Sequence, residues 1–234
     1  MSELNISKNV LQKIGGIGCI SGVILIILGS LIVPRTKDIS NILEMQNAFG
    51  SNPGILQLSA LFMVFGFWGL FIGVLGIQDS MNGTGAAWAR IGFYFNLMGT
   101  TIWTLGMSLD ISYPAAIVNW LSSPDSQKEV AYSVVSVLSP LGFGRGLFPI
   151  EVITIWLSYI FISLGMVQSN SRPHWQGYAG LLIGILGLIM GVFMVFTGRE
   201  KLMFFYIAIM LFVLIWFLII GIWTLCGSRS ADKY

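Results

Sequence analysis

Residues 180–191 read GLLIGILGLIMG: four glycines, separated only by leucine, isoleucine and one methionine. In a water-exposed helix each glycine costs about 1 kcal/mol relative to alanine, so a soluble helix gains nothing from repeating it every three or four residues. In hydrocarbon the balance changes. Backbone amides have no water to bond there, and the helix keeps its hydrogen bonds whatever its side chains. A missing side chain then lets a second helix come close, and dispersion between the two backbones replaces the hydrophobic drive. The stretch predicts a membrane-spanning helix that packs through bare backbone.

The same pattern runs outward in both directions. Gly177, Gly184, Gly191 and Gly198 recur every seven residues, with Gly180 and Gly187 as a second series. Gly15, Gly22 and Gly29 repeat the interval, as do Gly66 and Gly73, Gly69 and Gly76, and Gly92, Gly99 and Gly106. Seven residues make two helical turns, so each series lines one face. Composition agrees: the 234 residues are 56% hydrophobic and only 9% charged, with mean hydropathy +0.84, whereas a soluble domain carries about 25% charged residues. Six apolar runs approach or exceed the about 20 residues that cross a bilayer: 14–33, 55–77, 86–109, 147–167, 177–196 and 202–225. The expected fold is all-α, a single polytopic membrane domain with six transmembrane helices in a compact glycine-packed bundle. The sixth run is bulky, with Phe204, Phe205, Phe212, Trp216, Phe217 and Trp223, and is expected to face lipid or a partner.

Lys8 and Lys13 precede the first run as in a signal peptide, but the run is too long for one and no small-x-small cleavage site follows. It reads as an uncleaved span. Six spans put both termini on one face. Lys and Arg divide evenly: Lys8, Lys13, Arg90, Arg172, Arg229 and Lys233 on the termini's face, against Arg35, Lys37, Lys128, Arg145, Arg199 and Lys201 on the other. The positive-inside rule therefore ties. Both long connections and most acidic residues fall on the second face, which favours a plasma (inner) membrane protein with cytoplasmic termini. Each long connection is expected to hold a short interfacial helix. In 38–49, Ile39, Ile42, Leu43, Met45 and Phe49 fall near one helical side. In 124–138, Pro124 and Asp125 suit a first turn.

Polar residues inside spans are the candidates for chemistry. Asn96, Thr100, Thr104 and Ser108 recur every fourth residue in the third run, and Glu151, Thr154 and Ser158 stand in the fourth. Facing stripes of this kind line a polar seam, although serine and threonine also bond their own helix. Asp110, Arg145 and Glu151 fall at the same end of the bundle and are expected to form a charge cluster. It pairs structurally, or Glu151 titrates with Arg145 setting its pKa.

The remaining inventory excludes more than it includes. His174 is the single histidine, and Cys19 and Cys226 lie near opposite ends of the sequence. No metal set, haem ligand pair or disulfide framework follows. No phosphate-binding loop, dinucleotide fingerprint or nucleophile elbow occurs, and a net charge of +2 gives no face for nucleic acid. The expectation is no catalytic residues, no metal and no cofactor. Carboxylates alone can still do acid–base work.

The stretches GAAWARIGFYFNLMGT (85–100) and SRPHWQGYAGLLIGILGLI (171–189), set in a layout of one span, a long connection, two spans, a long connection and three spans, resemble the multi-pass family called domain of unknown function 4386. The resemblance covers about residues 10–225. It implies a six-helix integral membrane fold and carries over no catalytic residue.

Three functions fit this reading. The first is a non-catalytic accessory or scaffold subunit whose partners are membrane lipids and other integral membrane subunits or a second copy. The second is a small transporter or channel for a weakly polar or lipid-like solute. The third is a membrane enzyme with a carboxylate site at Glu151 and Asp110.

Overall fold

The structure, a computed structural model, describes residues 2–34, 42–138, 147–169, 171–197 and 199–231. Among these the chain is helical and has no strand: α1 (Ser2–Ile32), α2 (Ile42–Ser51), α3 (Pro53–Asp79), α4 (Gly83–Ser122), α5 (Asp125–Leu138), α6 (Leu147–Gln168), α7 (His174–Thr197) and α8 (Arg199–Ala231). Pro53 opens α3, where its missing amide costs nothing. The turn from α3 to α4 takes three residues, Ser80 to Asn82. The Ser80 amide bonds the Gly76 and Ile77 carbonyls, and Gly83 follows with φ +60°, a left-handed angle that glycine adopts without strain.

Six helices form a closed ring in the order α1, α3, α4, α6, α7, α8 and back to α1. Neighbours run antiparallel. A Cβ built on Gly15 would lie 2.7 Å from Gly76 Cα, one on Gly22 would lie 2.6 Å from Gly66 O, and one on Gly29 would lie 3.0 Å from Ser59 O, so α1 descends as α3 ascends. The α4–α6 pair has the same character: a Cβ on Gly85 would lie 2.6 Å from Gly165 O, and one on Gly92 would lie 2.8 Å from Ser158 O. Against α6, Gly177, Gly184 and Gly191 of α7 would meet Val167, Ile160 and Val152. Gly221 closes the ring, where a Cβ would lie 2.9 Å from Gly16 O. At α1–α3 the nearest atoms are largely backbone, whereas at α6–α7 branched side chains of α6 lie over the glycines.

The ring's interior is filled. Cys19, Val23, Phe67, Leu70, Val74, Trp156, Tyr159, Trp216, Phe217 and Ile220 are all buried. Tyr159 stands edge-on to Trp156 at 5.5 Å and to Phe217 at 5.4 Å, the geometry that aromatic quadrupoles favour. This revises the expectation for α8. Phe204, Phe205 and Phe212 look outward, but Trp216 and Phe217 are core, because a helix closing a ring must offer one face inward.

Five helices are long and apolar enough to cross a membrane: Val10–Ile32, Pro53–Asp79, Leu147–Gln168, His174–Thr197 and Phe204–Cys226. The chain is therefore an integral membrane protein. α4 is not among the five, and its polar residues from Asn96 to Asp110 are the reason.

α4 also differs from its expected length. It continues past Leu109 to Ser122, with Pro114 inside it. Proline removes the amide that would bond the carbonyl four residues earlier and crowds that turn. Gln57 of α3 donates to the neighbouring Ile111 carbonyl at 3.1 Å, supplying a hydrogen bond where the helix is weakest. α5 then folds back along the end of α4: Trp120 meets Tyr132 with ring centroids 5.2 Å apart. Leu56, Tyr113, Ile117 and Val135 form a second small core, with Phe49 of α2 against it. We call the end of the ring carrying this hairpin distal, and the end with the α3–α4 and α6–α7 turns proximal.

Candidate functional site

Three places inside or on the ring hold polar chemistry. The first is the α4–α6 contact. Asn96 lies between Gly92 and Gly99 on α4, and those two glycines meet Ser158 O and the Thr154 hydroxyl of α6. Asn96, Thr154 and Ser158 are all buried there. Thr154 Oγ1 bonds its own helix, to Ile150 O at 3.0 Å and Glu151 O at 2.8 Å. Asn96 Oδ1 and Ser158 Oγ are sealed without a hydrogen-bond partner among the described residues.

The remaining stripe on α4 does not join them. A step of four residues turns about 40° past one revolution, so the row winds around the helix. Thr100 and Thr104 reach the α3 side, and Ser108 is exposed, bonding Leu105 O at 2.6 Å. On that side lies the second place, a groove of about 510 Å³ between α3 and α4, lined by Trp68, Phe71, Leu97, Thr100, Thr104 and Leu105. Trp68 Nε1 donates to Thr104 Oγ1 at 3.0 Å, and Thr104 donates to Thr100 O at 2.8 Å. The groove's hydroxyl at Thr104 is thus already satisfied, and its walls are mainly apolar.

Of the expected charge cluster, Glu151 is buried on α6 at 4% exposure and Asp110 is half-buried on α4. Arg145 lies outside the described residues.

The third place was not singled out from the sequence. Arg172, in the turn between α6 and α7, is only 5% exposed. Its Nε donates to Ser80 Oγ at the end of α3 (3.0 Å), and its Nη1 donates to Thr224 Oγ1 on α8 (3.1 Å). The guanidinium carbon lies 5.2 Å from the centre of the Trp223 ring, within cation–π range. One side chain thus spans the proximal mouth. Burial pulls its pKa down to about 10, which leaves it a cation at neutral pH. Among the described residues no carboxylate pairs with it, and a buried charge with only neutral partners is costly.

Four more side chains with sealed polar atoms lie in the proximal half: Gln78 and Asp79 at the end of α3, Ser163 on α6 and Gln176 on α7, and Asp79 puts a carboxylate next to Ser80. Gln176, in the first turn of α7, is fully buried. Its backbone carbonyl accepts from Trp216 Nε1 at 2.8 Å, while neither polar atom of its carboxamide has a partner among the described residues. Ser163 Oγ is equally sealed and faces Gly180. The sequence carries one signal for this site: Arg172 is a basic residue between two spans with no acidic residue in its turn.

No described group of three or more histidine, cysteine or acidic side chains is placed to hold a metal ion. No family model matches the chain, and no curated protein or solved structure matches it.

Proposed function

We propose that the chain is a six-span membrane protein packed through its glycine faces, with both termini cytoplasmic in a plasma membrane, that acts as a non-catalytic accessory or scaffold subunit. Counting α4 as the sixth span is supported by its neighbours. It lies antiparallel to both α3 and α6 from Gly85, against Gly165, to Ile111, against Gln57. A helix flanked along that length by two spans crosses with them.

One observation carries the subunit role. The apolar arc of α5 is wider than the hairpin covers. Ala131 and Val135 face α4, but Val130, Val134 and Val137 stand 71%, 48% and 71% exposed. They lie one and two turns apart on one side of α5, at the distal end of the ring. Covering them removes apolar area worth roughly 3–5 kcal/mol. The occupant we assign is an apolar helix of another integral membrane protein at the distal face.

The test is a photo-crosslinker at position 130 or 137 in native membranes, with native mass measurement in mild detergent. A discrete adduct that V130S/V134S/V137S removes, without a change in unfolding temperature, is expected. A monomer with no adduct ends this reading. An adduct between two copies makes the chain its own partner.

The α3–α4 groove favours a second reading, a carrier of a lipid-like solute, since it pairs apolar walls with a few hydroxyls. Bulky substitution of Thr100 would then abolish transport in vesicles while leaving the α5 crosslink intact.

A further inference from the structure

We propose that the proximal mouth of the ring is an oxyanion site, in which Arg172 holds a phosphate group. The first argument is electrostatic. Arg172 is nine-tenths buried, and its partners among the described residues are neutral: two hydroxyls, an indole face and, at longer range, the buried Cys19 thiol. Charges removed from water are ordinarily paired. The hydroxyls do not neutralise it, and each is already used as a donor. Ser80 Oγ bonds Ile77 O at 2.6 Å, and Thr224 Oγ1 bonds Ile220 O at 2.7 Å.

The second argument is geometric. Ser80 and Thr224 take one N–H each from Nε and Nη1 and fix the plane of the guanidinium. Nη2 makes no hydrogen bond within the described residues, and it is not among the sealed polar atoms. The N–H groups of Nη2 are therefore held in place without a protein acceptor among the described residues. A guanidinium edge presents paired N–H groups that match two oxygens of a phosphate. α7 begins two residues further on, and the positive end of its dipole adds to the same potential. The turn sits where spans end, at headgroup depth. Phosphate reaches this depth from two sources, a lipid headgroup and inorganic phosphate in the adjoining water.

The experiment uses the full chain, purified in neutral detergent and stripped of lipid, with unfolding followed by tryptophan fluorescence. One arm compares phosphatidylglycerol with a galactosyl diacylglycerol of the same chains, which lacks phosphate. The other compares sodium phosphate with sodium chloride at equal ionic strength. The expected result is a rise of about 3 °C or more with the phosphate-bearing partner of one pair. A rise with the lipid alone assigns a headgroup, and a rise with the salt assigns the free ion. R172Q loses the rise, R172K keeps a smaller one because a point charge lacks the fork, and R90Q, at an exposed position, keeps it whole. If R172Q does not fold, the wild-type arms and R172K decide. No rise in either wild-type arm overturns the proposal, as does a rise that R172Q or a misfolding-free R172K retains undiminished.

Discussion

Replacing Gly22 with alanine adds one methyl group to α1, and the structure fixes what that methyl meets. Its carbon would lie 2.6 Å from Gly66 O, 2.7 Å from Leu70 N and 3.1 Å from Gly69 C. All three are backbone atoms of α3, so no rotamer change relieves the overlap. Ordinary contact begins near 3.4 Å, so the helices must part by about 0.6–0.8 Å. A radial gap of that size forfeits a quarter to a half of the dispersion energy of the contacts it opens. Overpacking without repacking room costs about 1–3 kcal/mol, and G22A is expected in that range. Gly54 supplies the control: nothing lies within 4 Å of its Cβ position, so G54A is expected to be neutral, or more stable by up to about 1 kcal/mol through helix propensity. Gly69 shares the contact with Gly22, since its Cβ would lie 2.8 Å from Gly22 Cα. Once G22A has parted the helices, G69A should add less than it costs alone, and the double variant falls short of the sum. Unfolding in mixed micelles of rising denaturing-detergent fraction measures all four. If G22A matches G54A, the α1–α3 contact is looser than described and the glycine-packed bundle loses its support.

Other expectations are smaller in scope. S59A removes the Ser59 hydroxyl bond to Gly29 O across α1 and α3 (2.8 Å) and should cost about 0.6 kcal/mol in the same assay, the usual value for such bonds in membrane proteins. W216F removes the indole bond to Gln176 O but keeps most of the buried ring; a loss of about 1–2 kcal/mol is expected, with faster amide hydrogen exchange in the first turn of α7. V135D puts a carboxylate into the small distal core of Tyr113, Ile117 and Leu56. It should open the α4–α5 hairpin to protease at 123–125 while the ring's unfolding temperature moves little.

The membrane class was legible because hydropathy names the solvent directly, and α3 differs from its expected run by only two residues at each end. α4 runs beyond its expected far end. The expected run ends at Leu109, before the charged Asp110, yet the helix continues to Ser122, and Val135, twenty-two residues after Tyr113, shares a small core with Tyr113 and Ile117. Of the polar row on α4, Asn96 is buried on the α6 side between Gly92 and Gly99, whereas Thr100 and Thr104 turn towards α3, because a four-residue interval precesses. The Arg172 site is not legible in the sequence for a different reason. Its burial depends on Ser80 and Thr224, which are 92 and 52 residues away in sequence, and nothing in SRPHWQG records either of them.

The closed ring has a consequence for biogenesis. α1 and α3 emerge from the ribosome early and can pair at once. The opposite side of α1, at Gly16, and the indole slot beside Gln176 wait for α8, which is translated after all the other ring helices. Through most of synthesis the nascent protein is an open horseshoe whose inner wall stays uncovered until α8 arrives and latches the first helix to the seventh.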